Sequence, residues 1–163
     1  MDDYVVSYYN PRTSLTVMLY ATAVELLLRY FSENDIGNYY CGPEEGTFQL
    51  YYRLKNTGFS IQQCIFVDGG RYTCKTTVAE IHPQSPEETA RLQAIVDSVN
   101  KKLDYGVLKY DEEKGNLQFW DRIILRSRSG AVNLKNLFER FDRLIGYPHF
   151  VLDVEFADAF LDF

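Results

Sequence analysis

The sequence predicts an α+β domain, an antiparallel sheet with helices packed on one face, in the order α-β-β-β-α-β-β-α. Three observations predict it. Two consecutive hairpin patterns between Phe48 and Val78 place their apolar residues on one shared face. A well-capped amphipathic helix begins at Ser85 and carries a single apolar stripe, the pattern of a helix lying on a sheet. Strongly apolar helical stretches stand towards both ends of the chain. The 163 residues suffice for one domain, read as 1–163. A chain of that size buries roughly 70% of its unfolded surface and needs no disulfide or metal framework.

Taken in order, residues 1–13 read as an irregular arm ending at Asn10-Pro11, and Thr13 or Ser14 offers an N-cap for the first helix, expected over 15–31. On that helix Thr22, Glu25, Arg29 and Ser32 form one narrow polar stripe, so the rest must be covered on more than one side. Glu25 and Arg29, one turn apart, argue against a membrane span. Residues 33–46, with Gly37, Gly42, Pro43 and Gly46, read as a loop.

Three strands follow. With Thr57-Gly58 and Asp68-Gly69 as two-residue turns, Leu50 faces Ile65 and Ile65 faces Tyr72. Gln63 and Thr76 are the exceptions on the apolar face, while Gln49, Arg53, Gln62, Arg71, Thr73 and Lys75 share the polar one. This register separates Cys64 and Cys74 onto opposite faces, out of disulfide reach.

Ser85-Pro86-Glu87-Glu88 combines an N-cap, a proline at the first helical position and a capping-box glutamate. Leu92, Ile95, Val96, Val99 and Leu103 mark the buried stripe. After Gly106, residues 107–110 and 117–126 form a hairpin around 111–116, with a bulge expected at Asp121. The C-terminal helical region, 130–163, is read as a helix over 132–145, a break at Gly146-Tyr147-Pro148 and a further helix over 149–161.

Seventeen basic against twenty-three acidic residues give a net charge of −6, which argues against a dedicated nucleic-acid binder. The acidic start, Met1-Asp2-Asp3, does not read as a signal peptide, and three cysteines without CxxC spacing fit a reducing cytoplasm. Two histidines in separate segments cannot make a His-rich metal site, and no phosphate-loop or dinucleotide motif is present. Neither a metal nor a cofactor is expected.

The helix Leu92-Gln93-Ala94-Ile95-Val96-Asp97-Ser98-Val99-Asn100 leads into Gly106-Val107-Leu108-Lys109-Tyr110-Asp111 and then Gly115-Asn116-Leu117-Gln118-Phe119. This pattern of helix, Asn, short strand, Asp-x-x-x-Gly and strand resembles the YbjN-like family of bacterial sensory-transduction regulators. That family shares its fold with the class I chaperones of type III secretion. The resembling stretch runs over residues 48–144 and contains no catalytic motif. The chain departs from the family in its longer, more apolar first helix and its aromatic C-terminal extension. The resemblance implies a non-enzymatic protein-binding domain, often dimeric, with an acidic surface.

The expected function is therefore a non-catalytic protein-binding domain, a regulator or chaperone-like adaptor with a protein or peptide client. Surplus apolar surface on the terminal helices also predicts a homodimer. Tyr51 and Phe66, which interrupt the polar sheet face, and Leu152, Phe156 and Phe160 in the C-terminal segment are the candidate binding residues. The alternative is a small enzyme using Cys41 with His82 or His149, or a carboxylate pair, Glu44-Glu45 or Glu112-Glu113. Neighbouring carboxylates in a turn point apart and nothing activates Cys41, so no residue is assigned a catalytic role. Trp120 with Arg122, Arg126 and Arg128 forms a short basic-aromatic run, read as a solvated strand face.

Overall fold

The computed structural model describes residues 3–5, 7–10, 15–18, 20–40, 46–68, 70–125 and 131–161. Its centre is a six-stranded antiparallel sheet ordered β4-β5-β6-β7-β9-β8. The strands are β4 (Tyr39–Tyr40), β5 (Thr47–Arg53), β6 (Ser60–Asp68), β7 (Arg71–Val78), β8 (Val107–Asp111) and β9 (Asn116–Ile124). Helices α1 (Tyr20–Glu33), α2 (Pro86–Asn100), α3 (Leu134–Phe150) and α4 (Phe156–Leu161) complete the domain, and their buried residues join those of one sheet face in the core. Two small antiparallel pairs add to this: β1 (Asp3–Val5) with β10 (Ala131–Asn133), and β2 (Ser7–Asn10) with β3 (Leu15–Met18). The α+β architecture is as expected, and α1, β5–β7, α2, β8–β9 and α3 keep the expected order; β1–β3, β10 and β4, the last in the segment read as loop, are strands the sequence reading did not place.

The chain before α1 is not an irregular arm. Residues 3–5 and 7–10 are extended, and 15–18, expected as the first helical turn, pair with 7–10 instead. Thr16 and Val17 are β-branched and favour the strand once Tyr8 and Tyr9 supply a partner. The helix accordingly starts at Tyr20; Thr13 and Ser14 lie outside the described residues.

Both hairpins keep the expected faces with registers displaced by two residues. Phe48 pairs Ile65 and Leu50 pairs Gln63; Ile65 pairs Cys74 and Val67 pairs Tyr72. A two-residue slip preserves which side each residue faces, whereas a one-residue slip would have inverted it. The first turn is four residues long, closed by Leu54 N–H donating to the Phe59 carbonyl at 2.8 Å. Asp153, far along the chain, accepts from the Asn56 and Thr57 amides at 3.0 and 2.8 Å and holds that wider turn open. In the second hairpin Asp68, expected in the turn, pairs with Arg71 instead.

Ser85 caps α2 by accepting from Glu88 N–H at 3.1 Å, and Glu88 reaches back to the Gln84 amide at 2.6 Å. Leu92, Ile95, Val96 and Val99 are buried on the sheet. At the far end Asn100 accepts from Leu108 N–H at 2.8 Å and donates to the Leu108 carbonyl at 2.7 Å. The Asn that ends the helix therefore occupies the outward hydrogen-bonding groups of an edge strand and blocks strand addition there. Replacing Asn100 with alanine is expected to cost about 1–3 kcal/mol, from two lost hydrogen bonds and an unpaired backbone edge. Urea denaturation measures the loss, and a rise in concentration-dependent association would report the opened edge.

No bulge forms at Asp121. The β7–β9 pairing runs unbroken, with Cys74 opposite Asp121, and the carboxylate points inward, 3.7 Å from Arg143. The expected break at Gly146-Tyr147-Pro148 is also absent: α3 passes through it to Phe150. One missing amide costs less than exposing Leu144, Ile145 and Pro148, all buried, together with Val151 and Leu152 just beyond. The helix then widens into a π-helical turn, Val151–Glu155, before α4.

The core has two apolar halves. One joins α1 and α3 to β5–β7 and β9, with Tyr30 packed against Phe138 and Phe141, and Phe31 against Phe48. The other joins α2, the π-helical turn and α4 to the opposite end of the sheet. Gln63 and Thr76, the two exceptions on the apolar face, lie fully buried and bond to each other at 3.1 Å. Of the described large apolar side chains on α1, only Leu28 is exposed, so the described part of α1 contributes little of the surplus apolar surface expected towards the ends of the chain.

Candidate site on the open sheet face

Strand alternation sends one set of side chains into the helices and the other onto the opposite face of the sheet. The pairing aligns that second set in rows. One row crosses all six strands: Tyr39, Gln49, Cys64, Lys75, Trp120 and Val107. The next begins at Tyr51 and ends at Lys109, and another joins Phe66, Thr73 and Arg122. Tyr39 and Tyr51 are each 65% exposed, and Phe66 and, at the far edge of the same face, Val107 are exposed as well.

Hydrogen bonds within the face hold these side chains in place. Tyr51 donates to Gln49 Oε1 at 2.8 Å and accepts from Gln62 Nε2 at 3.1 Å. Trp120 Nε1 donates to Gln118 Oε1 at 2.9 Å, and Gln118 in turn donates to Asn116 at 2.7 Å. The ammonium groups of Lys75 and Lys109 lie 5.5 and 5.1 Å from the centre of the Trp120 ring. Partial burial and the nearby Lys114 charge lower the Lys75 pKa. A shallow depression runs between Arg71, Thr73, Val107, Trp120 and Arg122.

Of the five expected binding residues, Tyr51 and Phe66 are brought onto this face. Phe160 is 43% exposed on the helical side, between two shallow grooves, one lined by Ile81, Pro83 and Leu92 and the other by Phe59 and Ala157. Leu152 and Phe156 are corrections: both are fully buried in the second half of the core and offer no docking surface. Their apolar neighbours on α2 and the sheet cover them, which a helical periodicity without a known neighbour does not reveal. Arg71 and Lys75 were legible as polar-face residues, but their adjacency to Arg122 and Lys109 rests on the β7–β9 pairing between distant hairpins. Tyr39 falls in a segment read as loop.

Of the alternative catalytic candidates, His82, His149, Glu112 and Glu113 are among the described residues. Cys41, Glu44 and Glu45 lie outside the described residues. Glu112 and Glu113 are exposed in the β8–β9 turn. His82 is exposed, with Nδ1 3.0 Å from the Gly115 carbonyl. Burial pushes the Cys74 thiol up to about 12. Among the described residues no three His, Cys, Asp or Glu side chains gather as metal ligands.

His149 belongs to the buried polar seam, with Nε2 3.2 Å from Gln63 Oε1 and its ring edge-on to Tyr52 at 4.5 Å. Burial holds its pKa below 6.5, partly offset by the Asp153 charge. Asp153 is pulled below its usual value despite some desolvation, because Thr57 and Asn56 donate to it and His149 lies near. Both shifts carry the same sign. The unfolded chain takes up a proton near 6.5 that native His149 refuses, so this stability is complete above that pH and declines as pH falls through it. The Asp153 contribution goes only below the unfolded carboxylate value of 3.8. Unfolding free energy is therefore expected to fall between about pH 7.5 and about pH 5.5. His149→Gln should flatten that slope, which parallel denaturation series at each pH would show.

No family model and no curated protein matches the chain. Among solved structures it is similar to one described as "Crystal structure of YbjN, a putative transcription regulator from E. coli", with a TM-score of 0.56 and 10% identity over 85% of this chain and 92% of that one. The likeness establishes a YbjN-like fold. Among the described residues no helix is long and apolar enough to cross a membrane.

Proposed function

We propose that this chain, on its YbjN-like fold, is a non-catalytic protein-binding domain, a cytoplasmic regulator or chaperone-like adaptor, and that its client docks on the open face of the sheet. One observation carries the reading: a continuous six-stranded surface exposes Tyr39, Tyr51 and Phe66 beside cations while the helices fill the other side. Aromatic and arginine side chains are the residue types that anchor protein interfaces. A client lies across the face rather than extending the sheet at β8, because Asn100 occupies the outward groups of Leu108. Homodimer formation is the finer part of the proposal. It rests on the exposed helical side chains Leu28 and Phe160. Sedimentation equilibrium checks it against the 19.0 kDa chain mass, and a strictly monomeric mass removes it.

The docking face is tested by installing the photo-crosslinker benzoylphenylalanine at Phe66 or, as a control on the helical side, at Phe150. Crosslinking is carried out in cells that natively contain the protein. Polypeptide adducts at position 66 and none at 150 are the expected result. Adducts confined to 150, or absent from both, overturn the assignment of the client to this face.

A further inference from the structure

The described sheet and helices divide their charge unequally. Helices α1–α4 with the π-helical turn carry ten carboxylates against five Lys and Arg. The open face of the strands carries Arg53, Arg71, Lys75, Lys109 and Arg122 against only Asp68 and Asp111. Asp111 is already engaged, accepting from Lys114 N–H at 3.1 Å and from Gln118 at 3.3 Å. Among the described residues no carboxylate lies within 4.0 Å of any of the five cations. A chain of net charge −6 thus places net positive charge on the one broad face that its helices leave bare, with Asp111 offsetting part of the Lys75 and Lys109 charge.

We infer that the segment docking on this face is an acidic, extended polypeptide carrying aromatic or aliphatic side chains among its carboxylates. The inference rests on the docking reading above and adds the chemistry of the partner. Arg71 and Arg122 border the depression beside Trp120 and present guanidinium forks suited to carboxylates. Tyr51, Phe66 and Val107 supply apolar contact between the charges. Five inter-strand steps of about 4.8 Å make the row from Tyr39 to Val107 about 24 Å across, the reach of about seven extended residues.

Two features favour a polypeptide over a single-stranded nucleic acid. Two ammonium groups already sit at the Trp120 ring, the natural stacking platform for a base. A polyphosphate also carries its charge beyond the footprint and meets the acidic helices, whereas a peptide carries carboxylates only where its sequence places them.

The test uses the full-length protein and four fluorescent or vesicle probes. These are a peptide of about twelve residues built from Asp, Glu and Phe, the same peptide with Asn and Gln replacing the acids, oligothymidylate of equal length, and phosphatidylserine vesicles. The acidic peptide is expected to bind at least about tenfold more tightly than each of the others, and to weaken about tenfold or more between about 50 mM and about 500 mM salt. Arg71→Glu with Arg122→Glu should abolish that binding, and Lys75→Gln with Lys109→Gln should weaken it separately. All four residues lie on the solvent side of the sheet, and the second pair serves if the first fails to fold.

Equal, salt-insensitive binding of the charged and uncharged peptides overturns the charge assignment and leaves the docking face standing. Tighter binding of oligothymidylate or vesicles overturns the inference in favour of nucleic acid or an anionic lipid surface. Binding of no probe overturns it as well, and crosslinks at position 66 then decide whether the docking reading survives.

Discussion

Replacing Gly106 with alanine is expected to destabilise the protein by about 2–5 kcal/mol. Two costs combine. The backbone φ of +71° lies in the left-handed region, where a side chain costs roughly 1–2 kcal/mol. A Cβ there would stand 2.6 Å from the Trp120 carbonyl oxygen and 2.7 Å from Phe119 Cζ. Neither neighbour yields cheaply: the carbonyl belongs to the β9 ladder and the Phe119 ring is fully buried. Gly115 provides the control, because its φ is +66° and a methyl group there would meet nothing within 4 Å. Gly115→Ala should therefore cost only about 1–2 kcal/mol. Urea midpoints at constant m-value compare the two. Equal losses would show that backbone conformation alone matters at Gly106, and that the close approach of β8 to β9 does not.

Gln63→Ala is expected to cost about 2–4 kcal/mol through a cavity and a dismantled hydrogen-bond cluster. Gln63 Nε2 donates to Thr76 Oγ1 at 3.1 Å and to the Ile145 carbonyl at 2.9 Å, while Oε1 faces His149. One side chain thus ties two strands to the helix that continues through Pro148. Gln63→Leu restores volume but leaves the Thr76 hydroxyl and the Ile145 carbonyl without their donor, so it should still lose about 1–3 kcal/mol. Adding Thr76→Val to that variant removes one orphaned group and should recover part of the loss. Denaturation of the two single variants and the double variant forms a cycle. Strict additivity would show that the two residues do not act as a unit.

These two sites differ in how much of them the sequence discloses. Gln63 and Thr76 stand out in the alternation as polar residues on an apolar face, yet nothing nearby in sequence names Ile145 or His149 as their partners. Gly106 marks the restart of extended structure, while the two atoms that forbid a side chain there belong to the following strand. The docking face divides in the same way. Tyr51, Phe66, Arg71 and Lys75 were readable as one face of two hairpins. Their merger with Trp120, Arg122 and Lys109 required β9 to pair with β7.

What the chain determines locally is whatever has a short period. The inward and outward sets of each strand, the Ser85 cap, the stripe on α2 and the 111–116 turn all follow from neighbours within a few residues, and all are present in the fold. Tertiary structure alone decided the hairpin registers, the strand at 15–18 and the passage of α3 through Pro148. Each of these weighs a modest local preference against burial or pairing contributed by residues far away in the sequence. Asp153 widening the first turn from about a hundred positions downstream is the clearest case, since no local rule reaches that distance.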